Sequence, residues 1–111
     1  MTQTIEFGLC GPGRHEIQSP HTSHMVELYC FPAVVEDPMN FKALYETAQE
    51  FLINNTAFPG HPEVLKWRIF VTGLTPCLTA MLIALRNLCP DQTIEIMHFN
   101  RDTGLYVGQD F

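Results

Sequence analysis

Charge is scarce in this chain. Lys, Arg, Asp and Glu make up only 16% of it, and the six Lys and Arg residues are scattered, with no two adjacent. A protein that grips DNA or RNA through its phosphates carries a basic stripe. With a formal net charge of -6, bulk electrostatics argues against polymeric nucleic acid as a partner. It leaves room for a small anion, which needs only two or three well-placed donors. The cysteines Cys10, Cys30, Cys77 and Cys89 include no C-x-x-C pair, so the spacing of a zinc ribbon is missing. Long hydrophobic runs are missing too. The most apolar stretch, LTPCLTAMLIALRNLC, is interrupted by polar residues and is too short to span a bilayer. The opening MTQTIEFGLC lacks the basic start and apolar core of a signal peptide. The expectation is a cytoplasmic protein with reduced thiols and no membrane partner.

Apolar residues account for 46% of the 111 positions. That is too many for a disordered chain and enough for one domain with one core. Alternation and turn residues predict strands at TIEFGL (4–9) and MVELYCF (25–31). A long loop from Cys10 to His24 separates them. DPMNFKALYETAQEFLINN predicts a helix with Asp37 at the N-cap and Pro38 in its first turn. Phe41, Leu44, Tyr45, Ala48, Phe51 and Leu52 give that helix one apolar face. VLKWRIFV (64–71) predicts a strand, and TGLT predicts a turn. A second helix runs from Pro76 to about Leu88 and is stopped by Pro90. TIEIMHFN (93–100) predicts a central strand, RDTG a turn, and LYVGQ a closing strand. The order is β-β-α-β-α-β-β, a single α/β (α+β) domain with a mixed sheet and two helices. The β-α-β unit should form a parallel pair with a right-handed crossover, and the flanking strands should form hairpins.

Two loops invite a ligand. VTGLTP joins a strand to a helix start, where free N–H groups make an anion seat and the Thr72 and Thr75 hydroxyls add donors. The plain alternative is a Gly73 turn with Thr75 as a cap. FNRDTG contains the turn formers Asn100, Asp102 and Gly104. Its Arg101 is not needed for a turn and offers a planar fork suited to phosphate, although a solvated surface arginine explains it equally well. In CGPGRHEI, Arg14 is a third anion contact, or else a salt-bridge partner of Glu16. His21-x-x-His24 with Cys10 or Cys30 is a weak metal pattern. Cys77 and Cys89 read as small hydrophobes on the second helix, and Trp67, Phe70 and Phe99 as core. No triad, paired carboxylates, metal motif or P-loop stands out, which tilts the reading toward a binder with no cofactor and no catalytic residue.

GRHEI, VTGLTP and HFNRDTGLYV together resemble the phage-encoded Thoeris anti-defence proteins of the first-described type, which are cyclic-nucleotide sponges. The resemblance spans the N-terminal loop and most of the last forty residues. It implies immune evasion in the cytoplasm of an infected bacterium. Proteins of that family bind cyclic ADP-ribose isomers without degrading them, and some also sequester cyclic oligonucleotides of the CBASS system. It further implies dimers and hexamers with ligand pockets between subunits, and Arg14, Thr75, Asn100 and Arg101 as binding residues. Two other readings stand beside it. One is a ring nuclease or cyclic-nucleotide hydrolase with His15 or His98 as the acid–base group. The other is a protein-interaction module without a small ligand.

Overall fold

The computed structural model describes residues 3–13, 17–56 and 64–111. Its elements run in the expected order: β1 (Gln3–Cys10), β2 (Tyr29–Phe31), α1 (Phe41–Thr56), β3 (Val64–Phe70), α2 (Thr75–Leu88), β4 (Thr93–Asn100) and β5 (Leu105–Asp110). They form one five-stranded mixed sheet, ordered β2-β1-β3-β4-β5. Strands β1 to β4 are parallel and β5 returns antiparallel to β4. No helix among the described residues is long and apolar enough to cross a membrane.

The closing hairpin matches the expectation, but the opening one does not. β2 is shorter than 25–31 and lies parallel to β1, with Gly8 opposite Tyr29 and Cys10 opposite Phe31. Two neighbouring parallel strands cannot be joined by a tight turn. The chain instead folds a small antiparallel bridge into the connection itself, pairing Gln18 with Met25. Val26 N–H then bonds the Ile17 carbonyl at 2.7 Å. Residues 17–28 thus form a strap across one face of the sheet.

The first helix also starts later than expected. Asp37 and Pro38 belong to a turn that precedes it, in which the Asp37 carbonyl accepts from Asn40 N–H at 3.2 Å. Asn40 is the cap, and its Oδ1 accepts from Ala43 N–H at 3.2 Å. The apolar period begins only at Phe41, so nothing rewards a helix over 38–40.

Both helices pack on the face formed by alternate strand residues. Phe7, Leu9, Trp67, Ile69, Ile94 and Ile96 meet Leu44, Ala48, Leu52, Met81 and Leu85 there in the main core. Trp67 also donates its indole N–H to Gln92. On the strap side, Ile17 and Val26 cover Phe70 and Met97 in a smaller cluster with Tyr29 and Tyr106 at its margin. The Tyr29 ring lies over Gly8 and Gly11, where a Cβ would collide with it.

The chain therefore leaves β1 toward β2 on the strap side, then returns past β1 to β3 and on to β4 on the helix side. Right-handed crossovers require that change of face when the direction of travel reverses. The reversal falls between β1 and β3, at the carboxyl ends of their strands, where open α/β sheets take their ligands.

Candidate ligand site at the carboxyl edge

Gly73 makes the turn after β3 with φ 83, a left-handed conformation that side chains disfavour. A Cβ at this position would also lie 2.7 Å from both Cβ and Sγ of Cys10. The β3 exit is thus pressed against the end of β1. Thr72 laces the two together. Its hydroxyl accepts from Cys10 N–H at 3.0 Å and donates to the Cys10 carbonyl at 2.6 Å. Thr72 is therefore committed to the scaffold, contrary to the expectation that it is a free donor.

Thr75 is different. It is the first residue of α2 and does not cap it. Leu74 holds the N-cap position with extended backbone and no capping side chain. The Leu74 carbonyl accepts from Cys77 and Leu78 N–H at 3.1 and 3.4 Å. The Thr75 hydroxyl and N–H have no hydrogen-bond partner among the described residues, and the side chain is exposed. Thr75 and Pro76 open onto a groove of about 680 Å³ between the two helices, walled by Phe41, Tyr45, Thr79, Ala80, Ile83 and Asn87. Tyr45 accepts from the Asn87 amide at 3.2 Å. Phe41 is 62% exposed, so a flat aromatic ring has an open face to stack against. No sequence signal singled out this groove, because Phe41 and Tyr45 sit within the apolar stripe of α1 and read as core.

Asn100 and Arg101 reach the same sheet edge but stand further out. Pairing between β3 and β4 ends at Phe70 opposite Met97, while β4 continues to Asn100. At about 3.3 Å per residue the hairpin overshoots β3 by roughly 10 Å. Asn100 builds the turn, its Oδ1 accepting from Asp102 N–H at 2.9 Å and its carbonyl from Gly104 N–H at 2.8 Å. Arg101 is exposed and has no ion pair among the described residues. No described hydrogen bond or ion pair joins Arg101 to Thr75. Arg14, His15 and Glu16 lie outside the described residues, as does the loop 57–63.

Cys10, Cys30 and Cys77 cluster beneath this edge, and all are free thiols. Burial and then the neighbouring Cys10 push the Cys77 thiol up to about 12. Cys30 is raised by burial and then by Cys10 and Cys77. Both thiols are held in the poorly nucleophilic protonated form. Cys89 is buried as expected, but sits at the C-cap of α2 rather than within it. His98 lies on the helix-side face of β4, exposed, its Nε2 2.8 Å from Gln109 Oε1. Phe99, expected in the core, is 52% exposed and packs edge-on to Tyr106.

A second hollow of about 460 Å³ lies near the start of α1, where Glu36 and Asp37 line it and disfavour an anion. The strap side carries the strongest electrostatics, and sequence reasoning missed it. Strand register sets Glu6, Arg68 and Glu95 in one row. Arg68 donates through Nε to Glu95 at 2.6 Å and through Nη1 to Glu6 at 2.8 Å. Ser19 and Thr22 of the strap donate to Glu6. Lys66 and His21 approach Glu95 at 3.6 and 3.7 Å. Burial raises both carboxyls, but the hydrogen bonds from Ser19 and Arg68 at Glu6, and from Arg68 with the Lys66 charge at Glu95, outweigh it. Both are held below their ordinary value. Arg68 is shared between Glu6 and Glu95 and the strap hydroxyls are spent on Glu6, so the row pins the strap. His21 faces Glu95, and no group of three metal-ligating side chains forms among the described residues. Comparison with known protein families, characterised proteins and solved structures finds no match to this chain.

Proposed function

We propose that this protein captures a cyclic nucleotide second messenger at the carboxyl edge of its sheet and holds it unconverted. The observation that carries the reading is the groove of about 680 Å³ that begins at Thr75 and is walled by Phe41 and Tyr45. Small-molecule sites of about 300–1,000 Å³ with apolar walls and a few polar groups are the usual form. A base stacks on Phe41, and the phosphates stay at the mouth, near the Thr75 donors, which have no partner among the described residues. Arg101, with Asn100 setting its turn, supplies positive charge from the overshooting hairpin. Arg14 joins them on the strength of the family resemblance alone. That resemblance also makes cyclic ADP-ribose isomers the first candidates and cyclic oligonucleotides the second. It makes the setting the cytoplasm of a phage-infected bacterium, with the protein acting there in immune evasion.

The test is to incubate the protein with cyclic ADP-ribose isomers and cyclic oligoadenylates, wash it, heat it and identify what is released. Intact messenger is the expected result. A linear product would make the protein a hydrolase, with His98 as the acid–base group to examine. Retention of no nucleotide overturns the reading.

A further inference from the structure

We infer that the free edge of β5 pairs with β5 of a second copy, giving one continuous ten-stranded sheet across a two-fold axis. The register with β4 decides which backbone groups are available. Phe111 N–H bonds the Ile94 carbonyl at 3.0 Å, and Gln109, Val107 and Leu105 follow opposite Ile96, His98 and Asn100. In an antiparallel ladder hydrogen-bonded pairs alternate. Residues 105, 107, 109 and 111 therefore turn their N–H and carbonyl groups toward β4. Tyr106, Gly108 and Asp110 turn theirs outward, where the sheet ends among the described residues.

Natural edge strands are blunted by lysine, proline, a bulge or a covering segment. LYVGQD has no lysine and no proline, and its pairing with β4 runs without a register shift. The helix-side core includes Ile94 and Ile96 of β4 but no residue of β5, so the helical layer stops short of this strand. Leu105, Val107 and Phe111 stand exposed on that side, Leu105 at 62% and Phe111 at 70%.

A two-fold centred on Gly108 uses every outward group. Gly108 then faces Gly108 of the second copy, and Tyr106 faces Asp110. On the helix side, each Leu105 falls opposite Phe111 of the other copy and each Val107 opposite Gln109, so the exposed apolar residues cover one another. No like charges are directly opposed along the strand. The Glu95 carboxylates, which lie over Gly108, approach across the axis, and each brings its own Arg68 and Lys66. The inference does not depend on nucleotide binding.

Sedimentation velocity over a concentration series tests it with three proteins. The unaltered protein should sediment as a dimer, while Leu105→Lys and Phe111→Glu should each raise the dimer dissociation constant at least tenfold. Both positions are exposed, so circular dichroism and melting should be unchanged at concentrations where all are monomers. An equimolar mixture of the two variants should form a heterodimer, because one Leu105–Phe111 contact becomes a lysine–glutamate pair and the other is kept. A monomeric unaltered protein at 100 μM-scale loading (about 1 mg/ml for a chain this size), or two variants that both remain dimers, overturns the interface. Two monomeric variants that fail to combine overturn the register.

Discussion

On the helix side of the sheet, Phe7, Leu9, Trp67, Ile69, Ile94 and Ile96 meet α1 and α2 in an apolar core. The opposite side runs Glu6, Arg68 and Glu95 in one row beneath the strap. Both sides exclude water from the same three strands, but by different physics. Apolar packing is nondirectional, and its strength follows the area removed from water. The charged row is directional and specifies where residues 19–22 dock, through Ser19, His21 and Thr22. Its net stabilisation is small, because desolvation offsets the attraction. The helix side should thus dominate stability, and the strap side should dominate pH response.

Trp67→Ala attacks the helix side at its largest fully buried ring and should cost about 3–5 kcal/mol by urea denaturation. A cost below that of any strap-side change would reverse the comparison. Arg68→Met leaves the Glu6 and Glu95 carboxylates, on either side of β3, without their shared partner and should cost about 2–3 kcal/mol, less than for a fully buried pair. Combining it with Glu6→Gln and Glu95→Gln should recover all but about 1 kcal/mol, since replacing an entire ion group by neutral ones is often nearly neutral. A triple variant no more stable than the single one would show that the row contributes net binding energy.

The pH dependence sharpens the same contrast. Glu6 and Glu95 have folded values below the reference of 4.5. Carboxyls depressed in this way contribute stability that is fully present above the unfolded value and is lost as pH falls through the folded one. Unfolding free energy should hold steady from neutral pH to about 5 and then fall below 4.5. The fall should be shallower in the triple variant. The smallest effect expected is at the start of α1, where Asn40→Ala removes the cap and should lower stability by about 1 kcal/mol without moving the pH midpoint.

The β3–α2–β4 unit was legible because its punctuation is local. Gly73 turns the chain, Pro76 opens the helix and Pro90 follows its end. β2 was misread because three residues beside β1 carry no periodicity of their own. Its place is decided by Tyr29 covering Gly8 and Gly11, a contact distant in sequence. The charged row left a faint mark that only register could develop. Glu6, Arg68 and Glu95 each sit between apolar neighbours in a strand, with opposite signs on adjoining strands. The candidate site was half legible. Thr75, Asn100 and Arg101 do reach the carboxyl edge, but the commitment of the Thr72 hydroxyl and the opening between the helices depend on packing that no local pattern reports.

In the proposed function the ligand is captured at the carboxyl edge and the interhelical groove, while the charged row holds the strap. An amide NMR titration with cyclic ADP-ribose isomers and cyclic oligoadenylates tests that division directly. Shifts should concentrate at residues 73–75 and 100–104 and at Phe41 and Tyr45, with Glu6, Arg68 and Glu95 left nearly unmoved. Shifts centred on that charged row, or none at saturating nucleotide, would contradict it.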